Sequence, residues 1–290
     1  MQEQQTAVVT GASAGIGKAT AKRLAGLGWH VIGVGRDPAR CDAAESEIRT
    51  AAAPGARVDF LRADFNAMAD VARTAAAIAA LTPRLDVLIN NAGGVRDRLI
   101  TTEDGTEATF AANHLAPFLL TRDLLPLLRA SAAALPAGSV RVIAVSSRAH
   151  RRCEGMDWDD LQSFKADSAV LAYCRAKLAN LLFTHELVRR AGPDGIVAQA
   201  MHPGVVDSNF ASHGDAAMQA HMAAAPTVGP DEPAETLVWL ATAPEAGRDA
   251  GRYFHRLAEE VPTDAARDDA AAARLWVESE ALLARMGFPG

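Results

Sequence analysis

The sequence predicts an α/β fold, a doubly wound parallel sheet in one domain spanning residues 1–290, and three observations predict it. Short β-branched runs alternate with helix-length segments from the first residues onward. These runs are apolar throughout rather than at every second position, as expected of strands covered by helices on both faces. No change of composition along the 290 residues marks a second domain.

Taken in order, Ala7-Val8-Val9 opens the sheet, and a glycine-rich turn leads from it into a helix. His30-Val31-Ile32-Gly33-Val34 is the second strand. Asp37-Pro38 after it has the form of an N-cap with proline at the first helical position, opening a helix through about Ala52. Val58-Asp59-Phe60-Leu61, Val87-Leu88-Ile89, Val140 to Val145 and Ile196-Val197-Ala198 supply strands three to six, joined by right-handed crossovers. The stretch at about 205–228, rich in Ala, His and Met behind Pro203-Gly204, reads as a small helical flap on loops. A helix over Asp231 to Ala243 and a last strand at Arg252-Tyr253-Phe254 follow. The tail from Thr263 is helical in pattern, with Leu275, Trp276, Leu282 and Leu283 as its buried stripe.

Composition narrows the function. A net charge of −6 with scattered basic residues offers no face for nucleic acid, and the small group Arg148, Arg151 and Arg152 reads as a solvated loop. Met1 to Gln5 is polar and no run of about 18 apolar residues occurs, so neither a targeting segment nor a membrane span is expected. Three cysteines, Cys41, Cys153 and Cys174, are odd in number, sparse and without metal-like spacing, which suits a reducing cytoplasm. His150, His202, His213, His221 and His255 lack metal-ligand spacing too, and no metal is expected.

The chemistry begins at Thr10-Gly11-Ala12-Ser13-Ala14-Gly15-Ile16-Gly17, between the first strand and the first helix. Glycines there let the backbone turn tightly and approach a pyrophosphate, and the helix N-terminus offers N–H groups and a positive dipole end. This is the dinucleotide-binding context of a Rossmann fold. Tyr173 and Lys177, four apart, share one face of a helix, where a nearby ammonium lowers the pKa of a phenol toward working pH.

The spacing Gly-x-x-x-Gly-x-Gly resembles the short-chain dehydrogenase/reductase family. Asn90-Asn91-Ala92-Gly93, Asn113, Ser146-Ser147, Tyr173-Cys174-Arg175-Ala176-Lys177 and His202-Pro203-Gly204 agree with it in family order over nearly the whole chain. Asn113 to Thr121 and Tyr173 to Thr184 look most like its retinol-dehydrogenase-like branch. That branch often carries an N-terminal membrane segment; none is expected here, so retinoid chemistry is not carried over. The resemblance implies a catalytic set of Asn113, Ser147, Tyr173 and Lys177. Tyr173 would be the general acid or base, Ser147 would hydrogen-bond the substrate oxygen, Lys177 would bind the nicotinamide ribose, and Asn113 would hold a water that relays protons to Lys177. It implies cofactor contacts from Gly11, Ser13, Gly15, Ile16, Gly17, Asp64, Asn91, Ala92, Gly93, Pro203, Gly204, Val206 and Ser208, the last where the family commonly has threonine.

The end of the second strand bears on cofactor choice. Gly35 stands where NAD enzymes of the family carry an acid, and Arg36 where NADP enzymes carry an arginine suited to the 2′-phosphate. Asp37 is acidic but is better explained as a helix cap. NADP(H) is therefore favoured over NAD(H). The leading reading is interconversion of a small-molecule carbonyl and alcohol. The alternatives are a redox-neutral isomerase or cyclase on the same fold and a non-catalytic dinucleotide sensor. The interval from Ser147 to Tyr173 exceeds that of compact family members. Its insertion, about 148–170, with Cys153, Met156, Trp158 and Phe164, is expected over the substrate pocket or its rim. The helices containing Asn113 and Tyr173 pair two copies in most relatives, so a homodimer is expected, with the insertion hindering a tetramer.

Overall fold

The computed structural model describes residues 4–207 and 214–290, apart from the side chains of 217, 221 and 222. Ser208 and His213 lie outside the described residues, as does the side chain of His221. In chain order the elements begin β1 (Thr6–Thr10), α1 (Gly15–Gly26), β2 (His30–Gly35), α2 (Pro38–Ala51), β3 (Val58–Arg62), α3 (Met68–Leu81) and β4 (Val87–Asn90). One long helix follows: α4 (Ala108–Phe110), a π-turn over Ala111–Leu115 and α5 (Ala116–Ala133). Then come β5 (Val140–Val145), a 3₁₀ turn over Arg148–Arg152, α6 (Ala169–Ala191), β6 (Ile196–Met201), α7 (Ala216–Ala224), α8 (Asp231–Thr242), β7 (Tyr253–His255), β8 (Ala258–Glu259) and α9 (Asp269–Arg285).

The strands form one sheet in the order β3-β2-β1-β4-β5-β6-β7-β8. All neighbours are parallel except β7 and β8, which are antiparallel. Alternate residues of each strand feed opposite cores, as the pleat dictates. Val8, Leu88 and Val142 face Met68, Leu119, Phe118 and Phe183 from α3, α5 and α6. Val9, Ile89 and Ile143 face Leu24, Ile48 and Leu240 from α1, α2 and α8. Burial on both faces explains the unbroken apolar runs. β3 departs from that expectation: only Val58 is buried, because β3 is the sheet edge with a single neighbour. Gly33, in mid-strand, makes room for the Phe60 ring, which lies 2.5 Å from where its Cβ would stand.

Asp37 caps α2 as expected, accepting from the Arg40 backbone N–H at 2.9 Å with Pro38 behind it. The C-terminal stripe Leu275, Trp276, Leu282 and Leu283 is buried. Trp276 fills the seam between α5 and α6, 4.8 Å from the Phe118 ring and stacked at 5.8 Å on Phe183. Part of the surface that was expected to pair two copies is thus covered by the chain's own α9.

The insertion corrects one expectation. Cys153, Met156 and Trp158 do not line the cleft described below but pack on the core shared by α6, β7 and α9, and Phe164 is exposed. Trp158 lies 4.4 Å beneath the Arg274 guanidinium of α9, and Asp157 pairs with Arg175 at 3.3 Å. Large apolar side chains there found a neighbour in α9, a contact that local sequence does not encode. From this stretch only Arg148, Ala149, Arg152 and Val170 reach the cleft.

Candidate active site

At the glycine turn the backbone takes left-handed values at Gly11 (φ 70°) and Gly15 (φ 52°), which other L-residues rarely adopt. Ala14 precedes α1 without a side-chain cap, and the first turn has no acidic residue, so its N–H groups are open to an anion. Gly17 works differently from its expected role as a contact. It does not line the cleft; a Cβ there would collide with the Gly11 carbonyl and the Asn91 carboxamide, so its smallness closes helix on strand. Asn91 locks the turn from β4, donating from Nδ2 to the Thr10 carbonyl at 2.7 Å. The buried Thr10 hydroxyl accepts from the backbone of Asn91 (3.0 Å) and Ala92 (2.9 Å). This places the turn between β1 and β4, where the order of crossovers reverses and such sheets bind ligands.

A cleft of about 1430 Å³ opens there. It is lined by Gly11, Ser13, Gly15, Ile16, Arg36, Asp64, Asn91, Ala92, Gly93, Ser147, Tyr173, Lys177, Pro203, Gly204 and Val206. The glycine turn and the Tyr173/Lys177 pair, more than 150 residues apart in sequence, thus share one cavity. The residues present fit a dinucleotide: a cradle without side chains, an uncapped helix end and cations beyond it. At Gly35 a Cβ would lie 2.8 Å from Cys41 Sγ and 2.9 Å from Ser13 Cβ, so the position has no free space for a carboxylate. Arg36 is half-exposed, with Nη1 3.9 Å from Asp64 Oδ2. Asp64 Oδ1 accepts from the Asn66 backbone (2.9 Å) and carboxamide (2.7 Å), so this acid both lines the cleft and shapes its own loop.

Tyr173 and Lys177 lie on α6, with Lys177 Nζ 5.6 Å from the Tyr173 ring centre. The Ser147 side chain lies beside the Tyr173 hydroxyl in the cleft wall. Lys177 donates from Nζ to the Val145 carbonyl at 3.0 Å, and its own carbonyl accepts from the Ser146 hydroxyl at 2.8 Å. Ser146 therefore ties β5 to α6, while Ser147 faces the tyrosine. Burial raises the phenol well above the free tyrosine value, opposed by the neighbouring Ser147 side chain, and pulls Lys177 down to about 7. The expected lowering of the phenol by Lys177 is not a property of these protein groups alone, because desolvation acts against both charges. A neutral buried phenol is a proton donor.

Asn113 sits in the π-turn, buried behind Gly93 and Gly94 rather than in the cleft wall. Its carboxamide donates to Thr109 O (2.8 Å) and Gly94 O (2.9 Å) and accepts from Gly94 N (3.1 Å). A Cβ on Gly93 would run into that carboxamide, with Lys177 Nζ 3.4 Å away, so Asn113 and Lys177 flank this glycine. The π-turn has a cause in sequence: Pro117, four residues on, has no N–H to bond the Asn113 carbonyl. Asn180 takes that carbonyl instead, at 2.6 Å with its amide turned to satisfy both ends.

Sequence reasoning missed Thr10, Asn180 and Arg96 as site residues. Asn180 and Thr10 stood inside quoted stretches whose spacing pointed to them only through their partners. Arg96, part-buried at the cleft wall, follows the Asn91-Ala92-Gly93 turn with no motif of its own.

Comparison with known proteins agrees with this geometry. A family model described as short chain dehydrogenase matches residues 5–219. Human retinol dehydrogenase 13 is 38% identical over 290 residues, covering 96% of this chain and 84% of the relative. An uncharacterized protein from Mycobacterium Paratuberculosis, of known crystal structure, superposes with a TM-score of 0.73 at 32% identity, covering 99% of this chain and 94% of the other. A short chain dehydrogenase from Burkholderia cenocepacia J2315, solved in complex with NADP, gives a TM-score of 0.66 at 27% identity, covering 86% and 94%. The chain belongs to the short-chain dehydrogenase/reductase family, in its retinol-dehydrogenase-like branch, and is an NAD(P)-dependent oxidoreductase that acts on an alcohol or carbonyl.

Proposed function

We propose that the chain is an NADP(H)-dependent carbonyl reductase, or the reverse alcohol dehydrogenase, with Tyr173 as general acid and base. The observation that carries this reading is the placement of Ser147, Tyr173 and Lys177 together in the wall of the cleft that also contains the glycine turn. A bound nicotinamide supplies or takes the hydride. In reduction, Ser147 donates a hydrogen bond to the carbonyl oxygen and Tyr173 gives its proton as alkoxide charge develops. In oxidation the same hydroxyl accepts the proton of the alcohol. Lys177 binds the nicotinamide ribose, and Asn113, across Gly93 from it, belongs to the relay that restores the proton. The phosphates bind at Gly11 to Ile16, with Val206 lining the cleft on the flap side.

The preference for NADP(H) rests on Arg36. Among the described residues its guanidinium has a 3.9 Å contact with Asp64 as its one ion pair, Asp37 is occupied as a helix cap, and position 35 has no room for an acid. Ala149, Val170, Met218 and Pro226 in the cleft wall suit an apolar substrate body, in keeping with the retinol named for the human relative. Three free cysteines accord with a cytoplasmic setting. For assembly we propose a homodimer in which the second copy packs over α9, since Trp276 already occupies the seam between α5 and α6. Light scattering should give twice 30.4 kDa.

The deciding experiment is consumption of NADPH and of NADH with a panel of apolar aldehydes and ketones. Turnover with NADPH preferred is expected. Absence of turnover with either cofactor across the panel and its alcohols removes the reading.

A further inference from the structure

The cleft has a feature that the hydride and proton chemistry leaves unused. Arg148 and Arg152 stand at the two ends of the 3₁₀ turn directly after Ser147, and both line the same cavity as Ser147 and Tyr173. Arginines elsewhere in the chain are mostly ion-paired, as at Arg84–Asp86 (2.5 Å) and Arg190–Glu186 (2.7 Å). Arg151, between the two, is paired as well, with Glu260 at 3.6 Å and the Val261 carbonyl at 2.6 Å. Arg148 and Arg152 are exposed, and neither has a carboxylate within 4.0 Å among the described residues. The Arg152 charge acts on Cys174, the residue after Tyr173, and the Arg148 charge acts on His202 and, from beyond ion-pair distance, on Glu260. Two guanidinium groups without a direct ion pair among the described residues, in a chain of net charge −6, therefore line the cleft from the short turn that follows Ser147.

We propose that Arg148 and Arg152 form a docking subsite for an anionic group carried by the substrate. The substrate class is then an amphiphile: a carbonyl or alcohol, an apolar body against Ala149 and Val170, and a carboxylate or phosphate at the arginines. Guanidinium matches both anions by paired charge-assisted hydrogen bonds. This rests on the proposed carbonyl–alcohol reading, which it makes specific. Hydrogen bonds to charged groups are individually strong enough for roughly tenfold or more in affinity each.

The test uses the full chain with NADPH and three medium-chain aldehydes that differ at the far end: a carboxylate, a phosphate and the methyl ester of the carboxylate. The ratio of kcat/KM between an anionic aldehyde and the ester should be at least about tenfold in the wild type and should collapse in Arg148→Ala/Arg152→Ala. Arg148→Lys/Arg152→Lys should keep part of it. The carboxylate and phosphate arms tell which anion is favoured. In parallel, a medium-chain carboxylate without a carbonyl should raise the Tm of the NADPH complex in the wild type and not in the double alanine variant. Equal use of ester and anions overturns the subsite and leaves the carbonyl reading standing. Lack of turnover of all three removes the carbonyl reading, and the carboxylate-induced Tm shift then decides the subsite by itself. A matching loss of NADPH affinity in the double variant assigns the arginines to the cofactor and overturns the inference.

Discussion

His114 offers a quantitative test of the packing between α9 and the π-turn that carries Asn113. It sits next to Asn113 in the π-turn, fully buried among Phe110, Phe118 and Phe183, with its Nε2 2.8 Å from the Ser279 hydroxyl of α9. Burial holds its pKa down at about 3. In the unfolded chain the same group titrates near 6.5. Between those values the unfolded state binds the extra proton, so stability falls as pH drops below about 6.5 and the loss is complete near pH 3. At pH 5 the difference amounts to about 2 kcal/mol, at roughly 1.4 kcal/mol per pH unit of gap. Replacing His114→Phe together with Ser279→Ala removes both polar partners and keeps the aromatic volume, which should be close to neutral at pH 7.5. Thermal unfolding followed from pH 7.5 to pH 5 should therefore show the double variant losing less Tm than the wild type. At about 2–4 °C per kcal/mol, the gap at pH 5 is about 4–8 °C. Parallel curves for the two proteins would refute the reasoning, since they would mean that His114 is protonated in the folded state without penalty.

The catalytic assignments give separable signatures. Tyr173→Phe removes the proton donor while keeping the ring, so turnover should fall by about 10²–10⁴ with NADPH affinity nearly unchanged; near-native kcat would move the proton elsewhere. Lys177→Ala should lower both turnover and cofactor affinity, which titration with NADPH reads directly. Arg36→Ala should weaken NADPH by tenfold or more, the worth of a charge-assisted hydrogen bond, and NADH hardly at all; equal weakening would detach Arg36 from the 2′-phosphate. Gly35→Asp alone should not confer tight NADH binding, because Cys41 and Ser13 occupy its space, whereas Gly35→Asp/Cys41→Ala should improve NADH affinity relative to the single variant.

What could be read in advance follows from how local the cause is. The strands were legible because each needs only its own run of apolar residues, and α2 because Asp37-Pro38 carries its whole start signal. The Tyr173/Lys177 pair was legible because one helix turn brings the two together. The β7–β8 hairpin was not. Its two-residue turn is Arg256-Leu257, with φ of 49° and 63°, positions that glycine or asparagine usually hold. Without those residues no turn signal exists. The turn is secured from outside, by Arg256 on Glu232 at 2.5 Å and Leu257 N–H on Thr236 at 3.3 Å. The insertion failed for a related reason, since Trp158 settles against Arg274, more than 100 residues away.

The same distinction explains why the electrostatics of the Tyr173/Lys177 pair escaped a spacing argument. Four residues of separation on a helix place an ammonium near a phenol, but the sign of the pKa shift depends on how dry the place is. Here α4 to α6 and the Gly93 loop bury both groups, and desolvation outweighs the attraction between them. The protein thus holds a neutral phenol and an amine near its midpoint at neutral pH. From that starting point, any positive charge brought against the pair would favour the phenolate, and any developing alkoxide would favour the phenol. With Tyr173 as the proposed acid–base group, such a pair would serve both directions of a carbonyl–alcohol reaction, which a permanently ionised tyrosine would not.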